Sequence, residues 1–196
     1  MKYILPGMGA NSKMYSGPWH GIKDRCFIDW PSYNQEISIT DLAGRLIKEY
    51  RISQKNTIIG SSLGGMVGLE IASILGLKKV FLIGSAINSD EISMLSGVLM
   101  PFAIKPIVRI SQWVSSWSND NVAQMYSNSE SEFIVSMSKA ILKWQGFNGD
   151  LKTIYRIHGK KDLFISCPDN CKIIEKGGHL IAITHAQECV DFIVEH

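Results

Sequence analysis

From one end of the chain to the other, short runs of aliphatic and β-branched residues alternate with longer stretches whose apolar positions recur every three or four residues. The short runs predict strands over 2–5, 26–29, 57–59, 79–83, 153–157 and 171–174. Between the second and third, Ile39, Leu42, Ala43, Leu46, Ile47 and Tyr50 follow a helical spacing, with Thr40 and Asp41 as starting signals. A second helix is expected over 63–75, closed by Gly76, and a last one over about 182–195, with Val190, Ile193 and Val194 on its inner side. Such alternation predicts an α/β chain with a mainly parallel sheet of about six strands and helices on both faces. It breaks between Ala86 and Gly149, a helical interval without a convincing strand and far longer than an ordinary βα connection. This interval, about 87–148, reads as an insertion, and Pro101 and Pro106 are expected to break it into short helices.

The 196 residues fit one domain, 1–196, rather than two. With 20 basic and 18 acidic side chains there is no one-signed field of the kind that polyanion binders carry, so nucleic acid is not an expected partner. The apolar stretch before Pro6 is shorter than a secretory h-region and reads as a first strand. The most apolar stretch, 94–104, is too short and too interrupted by Gly97 and Pro101 to span a bilayer. Cys26, Cys167, Cys171 and Cys189 show neither a redox CxxC nor a zinc half-site, which suits reduced, buried thiols and a cytoplasmic location.

Candidate chemistry begins directly after the third strand, where Gly60-Ser61-Ser62-Leu63-Gly64 is a GxSxG at a strand-to-helix junction. A sharp turn there lifts the Ser62 hydroxyl clear of the sheet, while the flanking glycines remove Cβ atoms that would meet neighbouring backbone. The same turn puts the Leu63 amide at a helix N-terminus, where it can stabilise an oxyanion. A serine nucleophile needs a base, and the base an orienting acid, each on a later loop. Asp162 follows the fifth strand in His158-Gly159-Lys160-Lys161-Asp162, and His179 follows the sixth in Gly177-Gly178-His179. In a parallel sheet these loops open on one edge. The loop after strand one, Pro6-Gly7-Met8-Gly9, offers the Met8 amide as a second oxyanion donor.

Other readings compete with this one. Ser62 could be only a helix N-cap, and Asp90, after the fourth strand, is a rival acid. His158 reads as a structural residue at a strand end, and His20, His185 and His196 as surface, helix and terminal residues without metal-ligand spacing. Gly7-Met8-Gly9 with Asp29 about twenty residues on imitates a dinucleotide fingerprint, but the third glycine is Ser12 and Pro6 is foreign to that turn. A P-loop is excluded because no Lys-Ser or Lys-Thr follows Gly64-Gly65.

With PGMG, GSSLGG, HGKKD and GGH in this order over nearly the whole chain outside the insertion, the sequence resembles a serine hydrolase of the α/β-hydrolase superfamily, carboxylesterase-like. The resemblance implies nucleophile Ser62, acid Asp162, base His179, oxyanion amides of Met8 and Leu63, and a helical lid made from the insertion. Two features depart from that family. The chain starts at the PGMG strand without the usual antiparallel hairpin, and Pro6 stands where many members have a His. The implied reaction is cleavage of a small-molecule carboxylic ester or thioester with an apolar acyl or alcohol part, through an acyl-enzyme that calls for no metal or organic cofactor. Met94, Leu99, Phe102, Trp113 and Trp117 are the candidates for lining the apolar pocket. Lys105 and Arg109 could meet an acidic acyl-carrier protein, although two basic residues on a helix suit a solvated face equally. A hydrolase-fold receptor that holds a small ligand with little turnover is the alternative.

Overall fold

The computed structural model of the chain describes residues 1–92, 104–118 and 120–196. Six strands form one sheet, β1 (Lys2–Leu5), β2 (Arg25–Phe27), β3 (Thr57–Ser61), β4 (Val80–Ile83), β5 (Ile154–Gly159) and β6 (Lys172–Ile174), in the order β2-β1-β3-β4-β5-β6. Every neighbouring pair is parallel. All six expected strands are present, with ends moved by one or two residues. The expected 26–29 strand becomes Arg25–Phe27, and β3 and β5 each run two residues further, to Ser61 and Gly159.

Successive strand residues face opposite sides, so Ile4, Ile59, Phe81 and Ile157 enter one core layer while Leu5, Ile58, Val80 and Leu82 enter the other. Burial on both faces is why these strands read as continuous apolar runs. Helices α1 (Ile39–Glu49) and α2 (Leu63–Leu75) cover the Leu5 side. Helix α1 buries Ile39, Leu42, Ala43 and Leu46, and starts in a reciprocal capping box between Ser38 and Asp41, with the cap two residues before Thr40.

Between β4 and β5 lie α3 (Lys105–Ser115), α4 (Asn121–Ser127) and α5 (Ser131–Lys143). Pro106 sits in the first turn of α3, where an absent N–H costs nothing. Pro101 lies outside the described residues. Trp144, buried just after α5, donates from Nε1 to Glu70 Oε1 of α2 at 2.8 Å and ties this stretch to the sheet layer. The single C-terminal helix expected is two, α6 (Ile181–Thr184) and α7 (Ala186–Glu195), because His185 takes a non-helical backbone (φ −134°, ψ 44°). Among the described residues no helix is long and apolar enough to cross a membrane.

After β1 the chain turns outward to β2. It then returns past β1 to β3 and continues the other way through β4, β5 and β6. The strand order therefore reverses between β1 and β3, and the crevice at their carboxyl ends is where such sheets take ligands.

Candidate functional site

Ser62 stands at this reversal, one residue past β3 and one before α2, with φ 50° and ψ −119°, a strained conformation for a residue with a Cβ. Its neighbours hold it there. Its N–H donates to Ile83 O (3.2 Å), and its carbonyl accepts from Gly65 N–H (3.0 Å) and Ser85 Oγ (2.7 Å). Behind Ser85, the Arg156 guanidinium donates to the Ser85 carbonyl (3.2 Å) and pairs through its two terminal nitrogens with Glu91 (2.9 and 2.6 Å).

The glycines beside Ser62 are required by contact. A Cβ on Gly60 would lie 2.2 Å from the Gly64 carbonyl oxygen, and one on Gly64 would lie 2.5 Å from the carbonyl oxygens of Leu5 and Pro6. The first turn of α2 can therefore rest directly on the backbone that leaves β1. Tyr15, fully buried, joins the ends of β1 and β3. Its hydroxyl donates to Leu5 O (2.5 Å) and lies 2.9 Å from Ser61 Oγ, and burial pushes the phenol far above its usual pKa. Beyond Leu5, the Gly7 carbonyl accepts from Trp30 Nε1 (2.9 Å) and Ala10 N–H (3.2 Å), which turns the Pro6–Gly9 loop. Among the described residues the N–H groups of Met8 and Leu63 have no acceptor, and Leu63 opens a helix whose first amides are unpaired by construction.

Three side chains distant in sequence meet here. His179 Nε2 lies 3.0 Å from Ser62 Oγ, and His179 Nδ1 lies 2.8 Å from Asp162 Oδ2. An ionised carboxylate can only accept, so Nδ1 carries the proton and Nε2 presents its lone pair to the serine hydroxyl. The Asp162 carboxyl is wholly buried. Its Oδ1 accepts the amides of Phe164 (2.8 Å) and Ile165 (3.1 Å). Burial alone would raise its pKa, but hydrogen bonds from His158 and His179 outweigh that and hold it well below the usual carboxylate range. The rival Asp90 is exposed in a 3₁₀ turn and makes no bond to His179.

A pocket of about 210 Å³ opens on Ser62 and His179, with Gly7, Met8 and Gly9 on one side and Met14, Val122, Tyr126, Leu180, Ala182 and Ile183 around it. Its lining differs from the expectation. Trp113 and Trp117 are 59% and 70% exposed, pack edge-on against each other and do not line it. Val108 and Gln112 form the buried stripe of α3, Trp113 falls about 100° further round the helix, and Trp117 lies just past its C-terminal end. Met94, Leu99 and Phe102 lie outside the described residues. Val122 and Tyr126 of α4, four residues apart and so on one face, were not anticipated. The signal for them was an i, i+4 apolar pair just after the capping residue Asp120. The dinucleotide reading loses its footing, since a short 3₁₀ turn follows Gly9 in place of an α-helix, and Asp29 is engaged by the Ser12 amide (2.6 Å).

No family model and no curated protein matches the chain. Solved structures do. An esterase from Thermogutta terrifontis aligns with TM-score 0.74 at 13% identity, covering 99% of this chain and 88% of that one. An enol-lactonase from Burkholderia xenovorans gives 0.74 at 15%, covering 99% and 90%. A type II thioesterase from the yersiniabactin biosynthetic pathway gives 0.64 at 15%, covering 100% and 91%. Likeness over almost the full length of both partners, together with the six-stranded parallel sheet of this chain, shows that it has the α/β-hydrolase fold.

Proposed function

We propose that the protein is a serine hydrolase acting on a small carboxylic ester or thioester with an apolar acyl or alcohol part. The observation that carries this reading is the hydrogen-bonded series Ser62 Oγ, His179 and Asp162 at 3.0 and 2.8 Å, facing an apolar pocket. As Ser62 Oγ attacks the carbonyl carbon, its proton passes to His179 Nε2, and Asp162 stabilises the imidazolium and keeps the ring oriented. The carbonyl oxygen becomes an oxyanion, which the Met8 and Leu63 amides stabilise. Collapse breaks the bond to the leaving alcohol or thiol, which takes the proton from His179. Water, deprotonated by His179, then attacks the acyl-Ser62 ester, and a second collapse releases the acid and returns the proton to Ser62.

The test is a panel of activated esters and thioesters of increasing acyl length, together with labelling by a fluorophosphonate. Ser62→Ala should remove labelling and lower kcat by about 10⁴-fold or more, with the fold intact by circular dichroism. Labelling of the mutant at the wild-type rate would refute the assignment. One acyl equivalent released without turnover would favour the small-ligand receptor instead.

A further inference from the structure

The carboxylate of Asp162 receives one more donor than the triad uses. His158, the fifth residue of β5, is 1% exposed, and its Nε2 lies 3.1 Å from Asp162 Oδ2 and 3.1 Å from the Ile165 carbonyl oxygen. Both of those groups are acceptors only, so His158 Nε2 must carry a proton, which it donates to the Ile165 carbonyl while lying beside Asp162 Oδ2. Asp162 then faces four N–H groups: the amides of Phe164 and Ile165 bonded to Oδ1, His179 Nδ1 bonded to Oδ2, and His158 Nε2, bonded to the Ile165 carbonyl and 3.1 Å from Oδ2.

These four donors differ in what holds them. Phe164 and Ile165 belong to the same loop as the carboxylate, and His179 is the ring that Asp162 has to orient. Only His158 is fixed independently, in a strand paired on one side with β4 and on the other with β6. An acid that orients a base needs a reference other than that base. We propose that His158 is a positioning residue of the triad, setting the plane of the Asp162 carboxylate from β5 so that Oδ2 meets His179 Nδ1 in one orientation. By bonding the Ile165 carbonyl, the same N–H fixes the loop that supplies the Oδ1 donors.

The inference rests on the proposed serine-hydrolase reading, and its test separates the two. His158→Leu removes the donor and keeps an apolar side chain of similar size. His158→Gln restores one, since its Nε2 lies as many bonds from Cα as the imidazole's. With p-nitrophenyl butyrate as probe, the Leu variant should lose about 10- to 100-fold in kcat at nearly unchanged KM, and the fluorophosphonate labelling rate should fall with it. The Gln variant should recover most of both. The downfield proton resonance of the His179–Asp162 hydrogen bond should be present in wild type and Gln and absent in Leu. A residue that only fills space would lower stability in both variants and leave kcat per folded molecule and that resonance unchanged, which would overturn the proposal. The nitrogen resonances of His158 in the unaltered protein give a second reading that does not depend on the variants folding. Protonated Nε2 is required, and a neutral ring protonated only at Nδ1 would overturn the proposal by itself. If Ser62→Ala still hydrolyses the ester, the triad reading has failed. If Ser62→Ala is inactive while His158→Leu matches wild type, only the role of His158 has.

Discussion

At the scale of single residues, the backbone at Ser62 stores strain at the point where the chain turns from β3 into α2. A left-handed φ on a residue with a Cβ costs about 1–3 kcal/mol, and glycine would relieve most of it. The elbow therefore predicts an inverted order of stabilities. At ordinary sites Ala is favoured over Gly by roughly 0.4–1 kcal/mol because Gly loosens the unfolded chain. Here Ser62→Gly should unfold at higher urea than Ser62→Ala, by about 1 kcal/mol, although both lack the hydroxyl and neither should be labelled by a phosphonate. Equal midpoints, or Ala the more stable, would mean that the hydrogen bonds from Ser85 and Gly65 to the Ser62 carbonyl, and from the Ser62 N–H to Ile83 O, do not hold a strained turn.

At the scale of elements, what was legible in the sequence is what local pattern encodes. The apolar runs placed all six strands, and the GxSxG, HGKKD and GGH motifs placed Ser62, Asp162 and His179 at strand ends, because a parallel sheet fixes where such loops emerge. Features decided by packing between elements were not legible. The amphipathic pattern of α3 shows that one stripe is buried but not whether that stripe faces the site. Trp113 and Trp117, conspicuous side chains of the stretch between β4 and β5, turn out to face outward. His158 looked like a strand-end residue because only the return of the loop at Asp162 N–H···Gly159 O (3.1 Å) brings the carboxylate back over β5. The break at His185 likewise left no periodic trace. Helix α4 supplies the pocket wall, so a change there should alter acyl preference without touching the proposed chemistry. Val122→Phe should leave acetyl esters within about twofold of wild type. Each methylene that can no longer be buried should lower kcat/KM by about fourfold, the equivalent of about 0.8 kcal/mol. Uniform loss across the acyl series would show that Val122 does not bound the acyl chain.

At the scale of the molecule, the site exists because one topological reversal gathers four loops at a single sheet edge. β1 and β3 bring the Pro6–Gly9 loop and Ser62 together, and β5 and β6 deliver Asp162 and His179, the proposed acid and base, from further along the same edge. The Asp162 side chain is wholly buried, and its titration is coupled to folding. Unfolded, an aspartate titrates near about 3.9. In the native protein burial opposes ionisation, but the donors from His158, His179 and the two loop amides prevail and lower the pKa. A depressed native pKa means that the unfolded chain binds the proton first. The stabilisation is therefore complete above about pH 5 and drains away as pH falls through the native value. Asp162→Asn, which cannot titrate and presents an N–H₂ toward donors, should be clearly less stable than wild type at pH 7. The gap should stay constant down to about pH 5 and narrow steadily toward pH 2 as wild type loses its advantage. Urea unfolding of both proteins across that range measures the gap directly. A gap that stays constant to pH 2, or widens on acidification, would mean that the buried carboxyl is not held ionised by its four donors, and the electrostatic basis for His179 as base would go with it.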